Sequence, residues 1–159
     1  MFVKPAITRM FLLLLLFFLP HNIIFAERLF KSLDETIPLD QSISKGILHN
    51  GLTYYVRENR KPEERIILRL IVNAGSILEN EKQRGLAHFL EHMAFNGTEN
   101  FPGNTLVDLL EREGIKFGPD LNAYTSYDST VYMLDIPAGR EELLDSALLI
   151  LRDWATGIT

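Results

Sequence analysis

His88, Glu91 and His92 are the residues of this chain whose types and spacing can do chemistry. They stand in the pentapeptide His88-Phe89-Leu90-Glu91-His92. On an α-helix, residues four apart share one face, and Glu91 falls on the same arc. Two imidazoles so placed can converge on a zinc ion. A neighbouring carboxylate that is not spent as a ligand can take a proton from a water acidified by zinc and pass it to a leaving amine. The order His-x-x-Glu-His reverses the commoner His-Glu-x-x-His. The alternative is an amphipathic helix that carries two histidines by coincidence. The whole sequence holds only four, His21, His49, His88 and His92, and two of them fall in this pentapeptide. Cysteine is absent, which excludes disulfides, thiolate metal sites and cysteine nucleophiles together. Any metal must be held by His, Asp or Glu. Those ligand types suit zinc, and manganese or cobalt could substitute.

The pentapeptide needs a helix, and the sequence supplies one over residues 83–95, with Glu79 and Glu81 near its positive end and Asn96-Gly97 to stop it. Phe89, Leu90 and Met93 are expected to turn its histidine face toward a core. Upstream, Asn50-Gly51 lies between two apolar runs and predicts a hairpin, because both residues tolerate positive φ. Residues 66–72 are nearly all apolar and rich in β-branched side chains, which predicts a strand covered on both faces. Asn104 is placed to cap a second helix running through Glu113, with Gly114 as its C-terminal turn. Residues 121–126 and 131–136 read as strands. A third helix over residues 141–155 has the apolar stripe Leu144, Ala147, Leu148, Leu151 and Trp154. Runs of strands and runs of helices predict an α+β fold, an antiparallel or mixed sheet with helices packed on one face.

The N-terminus reads differently. Lys4 and Arg9 precede ten unbroken apolar residues, 10–19, and Ala26 supplies a small residue at a cut. That pattern predicts a signal peptide over residues 1–26 and an exported protein, periplasmic or extracellular. The run is short for a membrane span, which needs about 20 residues; an uncleaved leader would leave a membrane tether. Residues 27–43 form a lead-in. The full sequence carries a net charge of −5 and 47% apolar residues. With no basic stripe to displace phosphate counterions, a nucleic-acid partner is not expected.

The surroundings of the pentapeptide resemble a known family. Gly75-Ser76 followed by Glu79, the block from Gly85 through His88, Glu91 and His92 to Thr98, and Asn122-Ala123-Tyr124-Thr125-Ser126 followed by Thr130-Val131-Tyr132 are similar to the pitrilysin/insulinase zinc peptidases. The stretch 117–125 is closest in flavour to their bacterial exported branch. The resemblance runs over residues 44–159. It implies a zinc metalloendopeptidase in which His88 and His92 bind zinc, Glu91 is the general base, and Asn122 and Ala123 hold a peptide substrate in extended form. It makes Thr130 and Tyr132 packing residues and Asn96-Gly97-Thr98 structural rather than a glycosylation site. The family's third ligand, a later glutamate, has no counterpart among Glu111, Glu113, Asp120, Asp128 and Glu141, so it is expected beyond Thr159. Residues 44–159 then form an incomplete peptidase domain that is inactive alone and needs C-terminal domains or a partner subunit. The alternative is a non-catalytic family member acting as a structural or partner subunit.

Overall fold

The computed structural model describes residues 36–159. The expected signal peptide and most of the lead-in lie outside the described residues. Among the described residues no helix is long and apolar enough to cross a membrane. The chain divides into two units, Met1–Glu58 and Asn59–Thr159.

The described part of the first unit is the hairpin of β1 (Ile43–Ile47) and β2 (Thr53–Arg57), antiparallel with Lys45 opposite Tyr55. The hairpin forms where the Asn-Gly pair predicts it. Of the Asn50-Gly51 pair only Gly51 takes a positive φ, 88°. The Gly51 N–H bonds the Leu48 carbonyl at 2.9 Å and the Leu48 N–H bonds the Leu52 carbonyl at 2.8 Å. This is a type I turn over His49 and Asn50 followed by a left-handed glycine, the three-residue solution to a hairpin. Asn50 instead accepts a bond from the Leu52 N–H through its side chain, at 3.1 Å.

The second unit is a three-stranded antiparallel sheet with helices on one face. Its elements are β3 (Arg65–Val72), a 3₁₀ turn (Ser76–Leu78), α1 (Leu86–Asn96), α2 (Thr105–Arg112), β4 (Leu121–Thr125), β5 (Thr130–Pro137) and α3 (Glu141–Thr156). The strand order is β3-β5-β4. Side chains alternate across a strand, and the register stacks the inward ones in rows: Leu68, Leu134 and Leu121 in one, Leu70, Tyr132 and Ala123 in the next. Ile136 extends that face on β5, and Leu106, Leu110, Ile115, Leu143, Ala147, Ile150 and Trp154 close over it. The α+β expectation holds.

Two expectations about burial do not hold in full. β3 is covered on one face only: Ile67 is 44% exposed and Ile71 62% exposed. All three helices pack on the other side, and the outward positions carry apolar residues that mask the alternation. In α3 the expected stripe holds in part: Ala147 and Trp154 are buried and Leu144 and Leu151 pack half-buried against the core, but Leu148 is half exposed and the fully buried line is Leu143, Ala147, Ile150 and Trp154. The four-residue and three-residue steps of this line follow the helical period as well as the expected stripe does, so periodicity alone cannot choose between them. α2 ends as foreseen. Gly114 has φ 83°, and the Ile115 N–H bonds the Leu110 carbonyl at 2.9 Å, a Schellman closure. Asn104 sits at the N-cap without a side-chain bond.

The C-terminal ends of α1 and α3 are tied by polar contacts. Asp153, 1% exposed, accepts bonds from the Thr98 hydroxyl (2.8 Å), the Asn100 N–H (2.9 Å) and the Asn100 side-chain amide (2.8 Å). Burial alone would raise its pKa, but these donors hold the carboxyl below its ordinary value. The Trp154 indole N–H bonds the Ala94 carbonyl at 3.0 Å, and its ring stacks on Tyr132. Thr98 is therefore buried structure, in keeping with the structural reading of Asn96-Gly97-Thr98. Tyr132 and Thr130 are likewise buried.

Candidate metal centre

α1 carries the site, and its first turn is fixed from a distance. Glu79, at the end of the 3₁₀ turn, accepts the Gly85 N–H (2.7 Å) and the Ala87 N–H (2.8 Å) on its two carboxylate oxygens. These are free donors of a helix start, where negative charge is favoured. The two bonds, that to Ala87 first, lower the Glu79 pKa. The turn before it is held against the β4–β5 connection by Gly75. A Cβ there would come within 2.4 Å of the Ser126 carbonyl oxygen, so only glycine permits the bonds Ser76 N–H to Ser126 O and Ile77 N–H to Tyr127 O.

A test of this anchor follows. Because the folded-state pKa of Glu79 is depressed, its support is present at neutral pH and is lost as pH falls through that lowered value. Glu79→Gln should lower amide-exchange protection at Ala87–Leu90 near neutral pH, with the difference from the parent vanishing in acid. Equal protection at neutral pH would exclude the anchor.

One turn along, His88 and His92 point their Nε2 atoms at each other at 2.9 Å. Tetrahedral zinc with Zn–N bonds of about 2.0–2.1 Å sets two nitrogens about 3.3 Å apart. The pair thus needs to open by only a few tenths of an ångström. Both rings are exposed; the His88 side chain is 63% accessible. Glu91 is the opposite, 7% exposed. Its Oε2 lies 3.7 Å from His88 Nδ1 and accepts the Thr125 hydroxyl at 2.6 Å. Its charge, after burial, raises the Tyr132 pKa. The core-facing side of α1 is therefore Glu91 and Ala94, not Phe89 and Leu90, which are 61% and 49% exposed. The expectation that Phe89 and Leu90 turn the helix inward is corrected: small Ala94 and paired Glu91 fit beneath the sheet row of Tyr132, and the larger residues face out.

β4 contributes the second wall. Among the described residues its strand partner is β5. On the other edge Leu121 bonds the Lys116 carbonyl and the Gly118 N–H, and beyond it, from Asn122 to Thr125, no strand pairs with that edge. Asn122 is exposed and Ala123 half-buried. The Ala123 N–H is occupied by the Asn122 side-chain oxygen at 2.9 Å. Beside His92 lies a cleft of about 340 Å³ lined by Phe95, Val107, Asp108 and Phe117 among others. Among the described residues no three His, Asp or Glu side chains converge as a metal cage. Two partners of the site carried no role in the sequence. Thr125 stood in the Asn-Ala-Tyr-Thr stretch with nothing to show that its side chain reaches α1. Glu79 was read as an acid near a helix start, without its two backbone bonds.

The match to known proteins agrees with this geometry. The pattern of the insulinase family, peptidase family M16, covers residues 54–159. The chain belongs to that family. It is 40% identical over 144 residues to the "Probable zinc protease PqqL" of Haemophilus influenzae, covering 91% of this chain and 16% of that protein. The crystal structure of the first half of the periplasmic protease PqqL from Escherichia coli superposes with a TM-score of 0.76 at 38% identity, over 79% of this chain and 27% of that one. The ferredoxin protease FusC, solved with Arabidopsis ferredoxin, gives a TM-score of 0.65 at 32% identity, over 74% of this chain and 13% of that one. The chain thus spans less than a fifth of the length of the Haemophilus relative.

Proposed function

We propose that this chain supplies the zinc-holding half-site and the general base of an exported metalloendopeptidase. His88 and His92 are two zinc ligands through Nε2, and a glutamate downstream of Thr159 is the third. The converging Nε2 atoms, with a buried carboxylate beside them that neither ring needs, carry the reading. Zinc, when bound there, polarises the scissile carbonyl and acidifies the attacking water. Glu91 takes that water's proton and returns it to the leaving amine. The open edge of β4 receives the peptide as an added strand. Asn122 turns aside to free the Ala123 N–H, and a side chain next to the cut bond enters the cleft at His92. The substrate is a peptide or an unfolded protein segment, in line with the ferredoxin bound to FusC. Residues 1–26 direct export to the periplasm, the compartment named for PqqL. Residues 27–159 alone do not turn over; further domains or a partner subunit complete the chamber.

Metal depletion tests this. The protein extended past Thr159 should lose peptide cleavage on chelation and regain it with one zinc per chain, while residues 27–159 stay inactive with zinc. Undiminished turnover in the metal-free protein would overturn the proposal.

A further inference from the structure

Thr125 gives the Glu91 carboxylate the one hydrogen bond that reaches it among the described residues. At 2.6 Å it has the length of a hydroxyl bonded to a charged acceptor. The proton's direction is settled by the neighbours. Thr130 spends its own proton on the Ala74 carbonyl at 2.9 Å. Its oxygen is a rival acceptor for the Thr125 proton, but at 3.5 Å it is far weaker than the Glu91 carboxylate at 2.6 Å, so the Thr125 hydroxyl donates to Glu91.

The position of Thr125 matters as much as its bond. It lies on β4 and faces inward with Leu121 and Ala123, while Asn122 and Tyr124 face the other way. The register sets Thr125 opposite Thr130 and Ala123 opposite Tyr132. Among the described residues β4 also has an unpaired edge from Asn122 to Thr125, beyond the bridge at Leu121. A peptide added to that edge and the carboxylate that serves it are thereby joined through two residues of one strand. A shift of β4 under a docking peptide reaches Glu91 through a short, charge-assisted bond.

We propose that Thr125 is a positioning residue that sets the Glu91 carboxylate and couples its orientation to peptide docking on β4. This rests on the reading of Glu91 as the general base. Thr125 need not touch substrate or metal to do so. Its hydroxyl fixes Oε2, the carboxylate oxygen that also lies 3.7 Å from His88 Nδ1, and so sets how the carboxylate is presented to the histidine pair. Misplacing a reacting group by a fraction of an ångström costs rate without costing affinity.

The test uses the complete zinc-loaded protein and two variants. Thr125→Val keeps the shape and removes the hydroxyl; Thr125→Ser keeps the hydroxyl. The valine variant should lose about 10- to 100-fold in kcat with KM and zinc content unchanged, and the serine variant should stay within a few-fold of the parent. A crystal structure of the zinc-loaded valine variant should show the Glu91 carboxylate rotated or spread over two positions. Unchanged kcat in Thr125→Val, or an equal loss in Thr125→Ser, would overturn the proposal. If Glu91→Gln itself retained activity, the base assignment and this coupling would fall together, which separates that failure from a failure of Thr125 alone.

Discussion

Glu91→Gln should lower peptide hydrolysis by about 10³- to 10⁴-fold and leave zinc content unchanged. The substitution isolates the proton step. Glutamine has the shape of glutamate, and its amide oxygen can still accept the Thr125 hydroxyl. The packing of α1 on the sheet is therefore kept. The amide cannot take a proton from water, so the chemistry stops. Zinc should stay if the carboxylate acts as the base and not as a ligand, as its bond to the Thr125 hydroxyl favours. Stability should not fall, since a buried amide costs less than a buried carboxylate. Peptide turnover read beside metal analysis checks both halves. Activity within tenfold of the parent would remove Glu91 from the mechanism, and lost zinc would make it a ligand.

The close approach of the candidate residues His88, Glu91 and His92 was legible because a helix converts sequence spacing into geometry. His88 and His92 share a face whatever the rest of the chain does. The partners across space were not legible in this way. Glu79 reaches the Gly85 and Ala87 N–H groups over a turn whose path is set by Gly75 packing on the Ser126 carbonyl. Thr125 meets Glu91 only because β4 lies beside α1. Burial was the weakest inference. Ile67 and Ile71 look like core residues by type, and they face outward because the sheet of this chain is covered on one side. Phe89 and Leu90 look like the anchors of α1, yet the shorter Ala94 and the hydrogen-bonded Glu91 fill the space under Tyr132. Side-chain type says what burial would gain; only the packed arrangement says which residues are offered the chance.

His88→Ala should abolish both zinc retention and cleavage, and it should do so without weakening the metal-free fold. The reason is exposure. The His88 side chain is 63% accessible, and surface substitutions usually move stability by no more than about 0.5 kcal/mol. A ligand differs from a structural residue in where its loss is felt. In the parent, zinc at about a thousand times its dissociation constant would add about 4 kcal/mol to unfolding. In the complete protein the variant keeps two of three ligands, His92 and the downstream glutamate, and its metal affinity should fall by more than about 100-fold, beyond the loss from removing an outer-shell partner. The metal-free parent and the metal-free variant should therefore melt together, and only the parent should rise when zinc is added. A metal-free variant that melts well below the parent would instead make His88 part of the fold. The same comparison on His92 should agree, because the 2.9 Å approach of the two Nε2 atoms gives both rings the same part in holding the metal.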